Sequence, residues 1–139
     1  MGRHAALTAH IDAIEAAGFF GEWVVDRESK GTREDPIQMP FVGYGEVVHG
    51  FVEAFYETDF GDRSYLDTLE EYGVELELEG MFSFDVSDAD DRLVLALITT
   101  AIRVDRFMCE GALLESFENG CMLKWLKRLR EIDEEGEGL

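Results

Sequence analysis

The chain is short of cations. Its 139 residues hold 12 lysines and arginines against 31 aspartates and glutamates, a formal net charge of −19 at pH 7. A nucleic-acid backbone is gripped by a basic face, so this balance argues against direct binding of DNA or RNA. Lysine is the scarcest cation: Lys30, Lys124 and Lys127 stand beside nine arginines. Cysteine is scarce too. Cys109 and Cys121 make neither a disulfide framework nor a C-x-x-C pair, which reads as a reducing, cytoplasmic setting. His4, His10 and His49 lie far apart and none neighbours a cysteine at metal-ligand spacing, so no zinc site and no cofactor is expected. Long apolar runs are missing. Stretches such as Leu93 to Ile98 are far too short to span a bilayer, and the first fifteen residues carry Asp12 and Glu15, unlike a secretory signal. The phosphate-binding glycine loops, G-x-S-x-G and H-E-x-x-H are all absent, so no enzyme is expected and no catalytic residue is assigned.

What is present is a globular composition. Apolar residues make up 46% of the chain and aromatics 12%, which a disordered chain does not have. A chain of this length buries roughly two thirds of its unfolded surface, enough for one self-sufficient domain over residues 1–139. The patterning predicts a mostly α, compact bundle of five to six helices. Leu7, Ile11 and Ile14 predict a helix over 5–17. Phe19, Phe20, Trp23, Val24 and Val25 read as core-seeking, in a short strand or an extended packed segment, and 26–40, with Gly31, Pro36 and Pro40 among charges, as a flexible loop. Tyr44, Val47, Val48, Phe51, Val52 and Phe55 form the stripe of a helix over 43–58. Ser64 to Gly73 reads as a third helix. Residues 74–84 begin in strict alternation, a strand signal that would pair with 19–25, although Glu and Leu suit helices as well. Ser87 is the expected cap of a central helix running to Val104. Helices over 111–118 and 121–134 follow, then a frayed acidic tail, 135–139.

The acids are not evenly spread. Residues 46–91 hold 15 acids and one base, Arg63, a balance of −14, whereas 103–130 hold four acids and six bases, a balance of +2. The expected partner-binding face is Glu53, Glu57, Asp59, Asp62, Asp67, Glu70, Glu71, Glu75, Glu77 and Glu79. Folding would fix these carboxylates at a definite spacing and attract a basic protein surface. The concrete form is a nucleic-acid mimic that blocks a host-defence or nucleic-acid-processing complex, of the anti-CRISPR or anti-restriction type. The plain alternative is that the acidity serves solubility alone. Asp85, Asp88, Asp90 and Asp91 lack the glycine and terminal glutamate of a calcium loop and read as acids at a helix start.

The run from Thr99 to Gly111 carries the remaining chemistry. Arg103 and Arg106 are one turn apart near the predicted helix end, where guanidiniums tie down the last carbonyls, with Phe107 plugging the core. That structural role is the expected one. The functional alternative is a small-anion pocket formed by Arg103, Arg106 and the start of the 111–118 helix, with Cys109 beside it. Cys109 has no identifiable base and is a poor candidate nucleophile. Thr99, Arg103, Arg106, Phe107, Gly111, Gly120, Arg128 and Leu129 together form a pattern of Thr, Arg-x-x-Arg-Phe, Gly, Gly and Arg-Leu. It resembles the signature of a family of small bacterial proteins of unknown function, found also in phages and mobile elements. The family has Gly-Glu before the second arginine, where this chain has Val104-Asp105. The resemblance covers about the last 50 residues. It implies a compact helical fold and supplies no activity.

Overall fold

The computed structural model describes residues 3–24, 31–34, 41–58, 61, 64–75, 77–107 and 111–137. Within them, helices α1 (Ala5–Thr8) and α2 (Ile11–Ala16) precede a hairpin of β1 (Gly21–Val24) and β2 (Phe41–Tyr44). Then come α3 (Glu46–Glu57), α4 (Tyr65–Glu71), α5 (Leu78–Ser83), α6 (Asp91–Phe107), α7 (Ala112–Glu118) and α8 (Cys121–Glu137). The protein is mostly helical, with one small two-stranded antiparallel sheet. The expected count of five to six helices rises because the first helix breaks at Ala9–His10 and because residues 78–83 are helical.

α6 is the axis of the molecule. All ten residues from Leu93 to Ile102 are buried, so this helix is enclosed on every side. It packs against α4, α7 and α8. Two threonines sit in that apolar run at no hydrogen-bonding cost. The Thr99 and Thr100 hydroxyls donate to the carbonyls of Leu95 and Ala96, one turn back, at 2.7 and 2.6 Å. α8 lays Cys121, Met122, Trp125, Leu126 and Leu129 against the core. α3 contributes Val48, Phe51 and Phe55 at helical spacing, as its stripe predicts. Phe117 on α7 joins the two sides. Its ring meets Phe51 edge-on at 5.8 Å and Phe20 at 5.5 Å.

Three local expectations are corrected. The partner of β1 is β2, in register Gly21↔Tyr44 through Val24↔Phe41, and not residues 74–84. Phe41, Val42 and Tyr44 suit a strand, and the small Gly21 on β1 lets the two strands approach: a Cβ there would stand 3.0 Å from the Gly43 carbonyl oxygen. The helix therefore starts at Glu46, after Gly45, and not at Gly43. With β1 already paired, the alternating segment folds as a single helix turn and a half, α5, in keeping with its Glu and Leu content. Finally, Ser87 does not cap α6. Its hydroxyl and amide both donate to Asp85, and Asp90 takes the cap instead, accepting from the Leu93 amide at 3.0 Å. α8 also runs past its expected end at 134 to Glu137, so residues 135–137 of the expected frayed tail are helical; residues 138–139 and most of the 26–40 loop lie outside the described residues.

Candidate functional site

The acidic set begins on α3. Val48, Phe51 and Phe55 turn one side of that helix inward, which leaves Glu53 and Glu57, one turn apart, facing out. The same logic on α4 buries Thr68 and Leu69 and exposes Asp67, Glu70 and Glu71. Glu79 is on α5, with Glu75 and Glu77 just ahead of it, and all three are exposed. Asp59 and Asp62 lie outside the described residues. Of these eight carboxylates, Glu71 alone has an ion pair among the described residues, with Arg92 at 3.0 Å. The other seven are not neutralised by the described part of the chain.

The arginine motif sits differently from its sequence expectation. α6 runs on to Phe107, so Arg103 is inside the helix, a turn before its end, and is half-buried. The side chains of Arg106 and Phe107, and Cys109 altogether, lie outside the described residues. Arg103 lines a cavity of about 270 Å³ between the end of α3 and α6, together with Thr99 one turn earlier. The start of α7 is not part of that cavity's lining. Its amides belong to Asp105, whose Oδ1 accepts from the Gly111 amide at 2.8 Å and the Leu113 amide at 3.2 Å. The same oxygen accepts from the Tyr44 hydroxyl at 2.6 Å, and Tyr44 in turn accepts from the Leu114 amide at 3.2 Å. The anion held at this helix start is thus the chain's own carboxylate, and it ties the hairpin to α6 and α7.

A second polar cluster has no counterpart in the sequence reading. His4 is only 1% exposed, yet it sits between two carboxylates. Its Nδ1 is 2.7 Å from Asp133 Oδ1, and because an ionised carboxylate only accepts, Nδ1–H is the donor. Its backbone amide donates to the other Asp133 oxygen at 3.0 Å. Its Nε2 lies 3.3 Å from Asp91 Oδ2, which also pairs with Arg3 at 3.1 Å. This clasp fastens the N-terminal segment to the first residue of α6 and to the distal half of α8. A separation of 129 residues between His4 and Asp133 leaves no local pattern to find. Arg128, one of the signature residues, is another structural tie: its Nε donates to the Ala89 carbonyl at 2.8 Å. Cys121 is buried, gives its thiol proton to the Phe82 carbonyl at 3.2 Å, and has its pKa pushed up by that burial. A raised pKa means less thiolate, so this cysteine is a core residue and not a reactive one.

The layout of the whole chain now bears comparison with known proteins. A family described as of unknown function, DUF6508, matches residues 2–135. The chain belongs to DUF6508. The match takes in the clasp at His4, the hairpin, the acidic helices and the arginine motif together. No curated protein and no solved structure matches the chain. No helix among the described residues is long and apolar enough to cross a membrane, and no three or more of their His, Cys, Asp and Glu side chains group so as to hold a metal ion.

Proposed function

We propose that the protein is a non-enzymatic binding domain that offers its carboxylate-rich surface to a basic protein. The observation that carries this reading is the state of the eight described acids: all are exposed, and seven have no ion pair among the described residues. A fold that needed these charges for its own stability would have paired them. Carboxylates held on helices keep their mutual spacing, so a complementary basic groove meets a pre-arranged pattern and loses little entropy on docking. The partner chemistry that fits is a groove built for phosphates. In its concrete form the protein occupies such a groove in a cytoplasmic nucleic-acid-processing or defence complex, as anti-CRISPR and anti-restriction inhibitors do.

The test combines charge reversal with salt. Glu53→Lys, Glu57→Lys, Glu70→Lys and Glu77→Lys in one chain should keep the wild-type circular dichroism and lose the partner retained from host lysate. Wild-type retention should fall steeply with added salt, since exposed charge attraction is screened beyond about 8 Å at physiological ionic strength. Retention of the same partner by the reversed chain rejects the proposal and leaves solubility as the reason for the charge.

A further inference from the structure

The outward face of α3 carries a gap in its row of acids. Val48, Phe51 and Phe55 are buried, so Glu46, Gly50, Glu53 and Glu57, at i, i+4, i+7 and i+11, form one row along the opposite side of the helix. The three glutamates are exposed and have no ion pair among the described residues. Gly50 interrupts them near the middle of a helix of 12 residues. Nothing inside the molecule asks for glycine there. Its φ is not positive, so the backbone would accept an L side chain. A Cβ at this position would meet nothing within 4 Å among the described residues, so the packing would accept one too. Proline apart, glycine is the poorest helix former, so the position weakens α3 with no internal compensation. A local rule broken without an internal reason marks a place where function sets the residue.

We infer that α3 docks a basic α-helix of the protein partner, which crosses it at Gly50. Cations on one flank of the crossing helix reach Glu46, and cations on the other reach Glu53 and Glu57. The inference rests on the acidic-surface reading above and names the element that this surface receives. Charge makes the occupant basic, since the row offers carboxylates and no cation. The width of the gap makes it a helix. Glu46 and Glu53 are separated by about 10 Å along the axis, at the rise of about 1.5 Å per residue of an α-helix. A helix with its side chains is about 10–12 Å across, whereas adjacent extended strands lie only about 4.8 Å apart. With no side chain at Gly50, the crossing helix rests on the backbone of α3 and the two axes approach to the low end of the usual range of about 8–10 Å. An extended basic segment would meet the same carboxylates without using the gap.

The experiment is a nitrogen-15 NMR titration of the full chain at low salt with two synthetic peptides of identical composition. Both are alanine-rich, with lysine and arginine at i, i+4 spacing. In the second, alternate alanines are of the D form, which prevents a right-handed helix. The helical peptide should give saturable shifts centred on the amides of Glu46, Gly50 and Glu53, and the broken peptide should bind several-fold more weakly. Gly50→Ala should keep the wild-type circular dichroism and raise the thermal midpoint, because alanine is the best helix former and has room here. Gly50→Leu, folded in the same way, should weaken the helical peptide by at least about tenfold, since a side chain now fills the crossing point. It should leave the weaker binding of the broken peptide unchanged. Absence of saturable shifts on α3 overturns the docking site, and so does equal affinity of the helical peptide for wild type and folded Gly50→Leu. If binding survives Gly50→Leu but is lost in the chain carrying Glu53→Lys, Glu57→Lys, Glu70→Lys and Glu77→Lys, the crossing is wrong and the acidic-surface reading stands. If binding survives both, that reading falls with it.

Discussion

Asp105 shows how much one side chain can organise. Its Oδ1 accepts from Tyr44, Gly111 and Leu113, three groups on β2, on the residue before α7 and on α7 itself. Removing it leaves two amides and a phenol without their acceptor in a half-buried place. Asp105→Ala should therefore cost about 2–3 kcal/mol, the sum of a lost helix cap and an orphaned hydroxyl. Asp105→Asn keeps a carbonyl oxygen in the same position and should cost about 1 kcal/mol. Denaturant melts of the two variants beside wild type check the ordering, and equal losses would show that charge and not acceptance matters here. Tyr44→Phe should lower stability by more than Asn does, since it removes two bonds of the same network, the one to Asp105 and the one from the Leu114 amide. The aspartate carboxylate reaches the amides of Gly111 and Leu113, six and eight residues on.

At the scale of elements, two glycines that look alike in sequence separate helices in different ways. Gly111 and Gly120 precede α7 and α8, and both have positive φ, +98° and +82°. A Cβ on Gly120 would meet nothing within 4 Å, whereas one on Gly111 would come within 2.4 Å of the Trp23 ring. Gly120→Ala should cost only the left-handed backbone penalty, roughly 1–2 kcal/mol. Gly111→Ala should cost more, because the half-exposed Trp23 ring must also swing aside and give up its cover of this turn. Urea midpoints measure the difference, and the Trp23 fluorescence should shift in the Gly111 variant alone. The same close approach explains the hairpin itself. β1 and β2 form a pair too small to be stable unaided, and they persist because Trp23 covers Gly111 while Tyr44 reaches Asp105.

The whole molecule carries a net charge of −19 spread unevenly, and the described acidic surface has few internal counter-ions. Self-repulsion among exposed carboxylates opposes the compact state, and salt screens it. The thermal midpoint should therefore rise when the ionic strength is taken from about 0.01 M to about 0.5 M, where the screening length falls from roughly 30 Å to a few ångströms. The ion pairs that salt weakens, Arg92 with Glu71, Lys127 with Glu15 and Arg3 with Asp91 among them, are worth little individually. A midpoint that falls with salt would show that internal ion pairs outweigh the repulsion. Scanning calorimetry at two salt concentrations decides between them.

Periodicity in the sequence was enough to determine the helical class, the enclosed character of α6 and the stripes of α3 and α8, because burying an apolar face is a local requirement that repeats every three or four residues. The outward position of the described acids was legible for the same reason: a helix that buries Phe51 and Phe55 must expose Glu53 and Glu57. Strand partnership was not legible. Alternation in 74–77 and the strand residues of 41–44 are equal local signals, and only β1's single available pairing decided between them. The cap of α6 went to Asp90 and not Ser87 because the chain before the helix turns on Asp85, a geometry that residue types do not encode. The polar centres were hidden altogether. His4 meets Asp133 across 129 residues and Tyr44 meets Asp105 across 61. Such pairs have no spacing rule, since what brings them together is the packing of α1 on α8 and of the hairpin on α7. The cavity at Arg103 belongs with them: Thr99 and Arg103 are one turn apart in the sequence, but only the end of α3 packing beside them encloses the space.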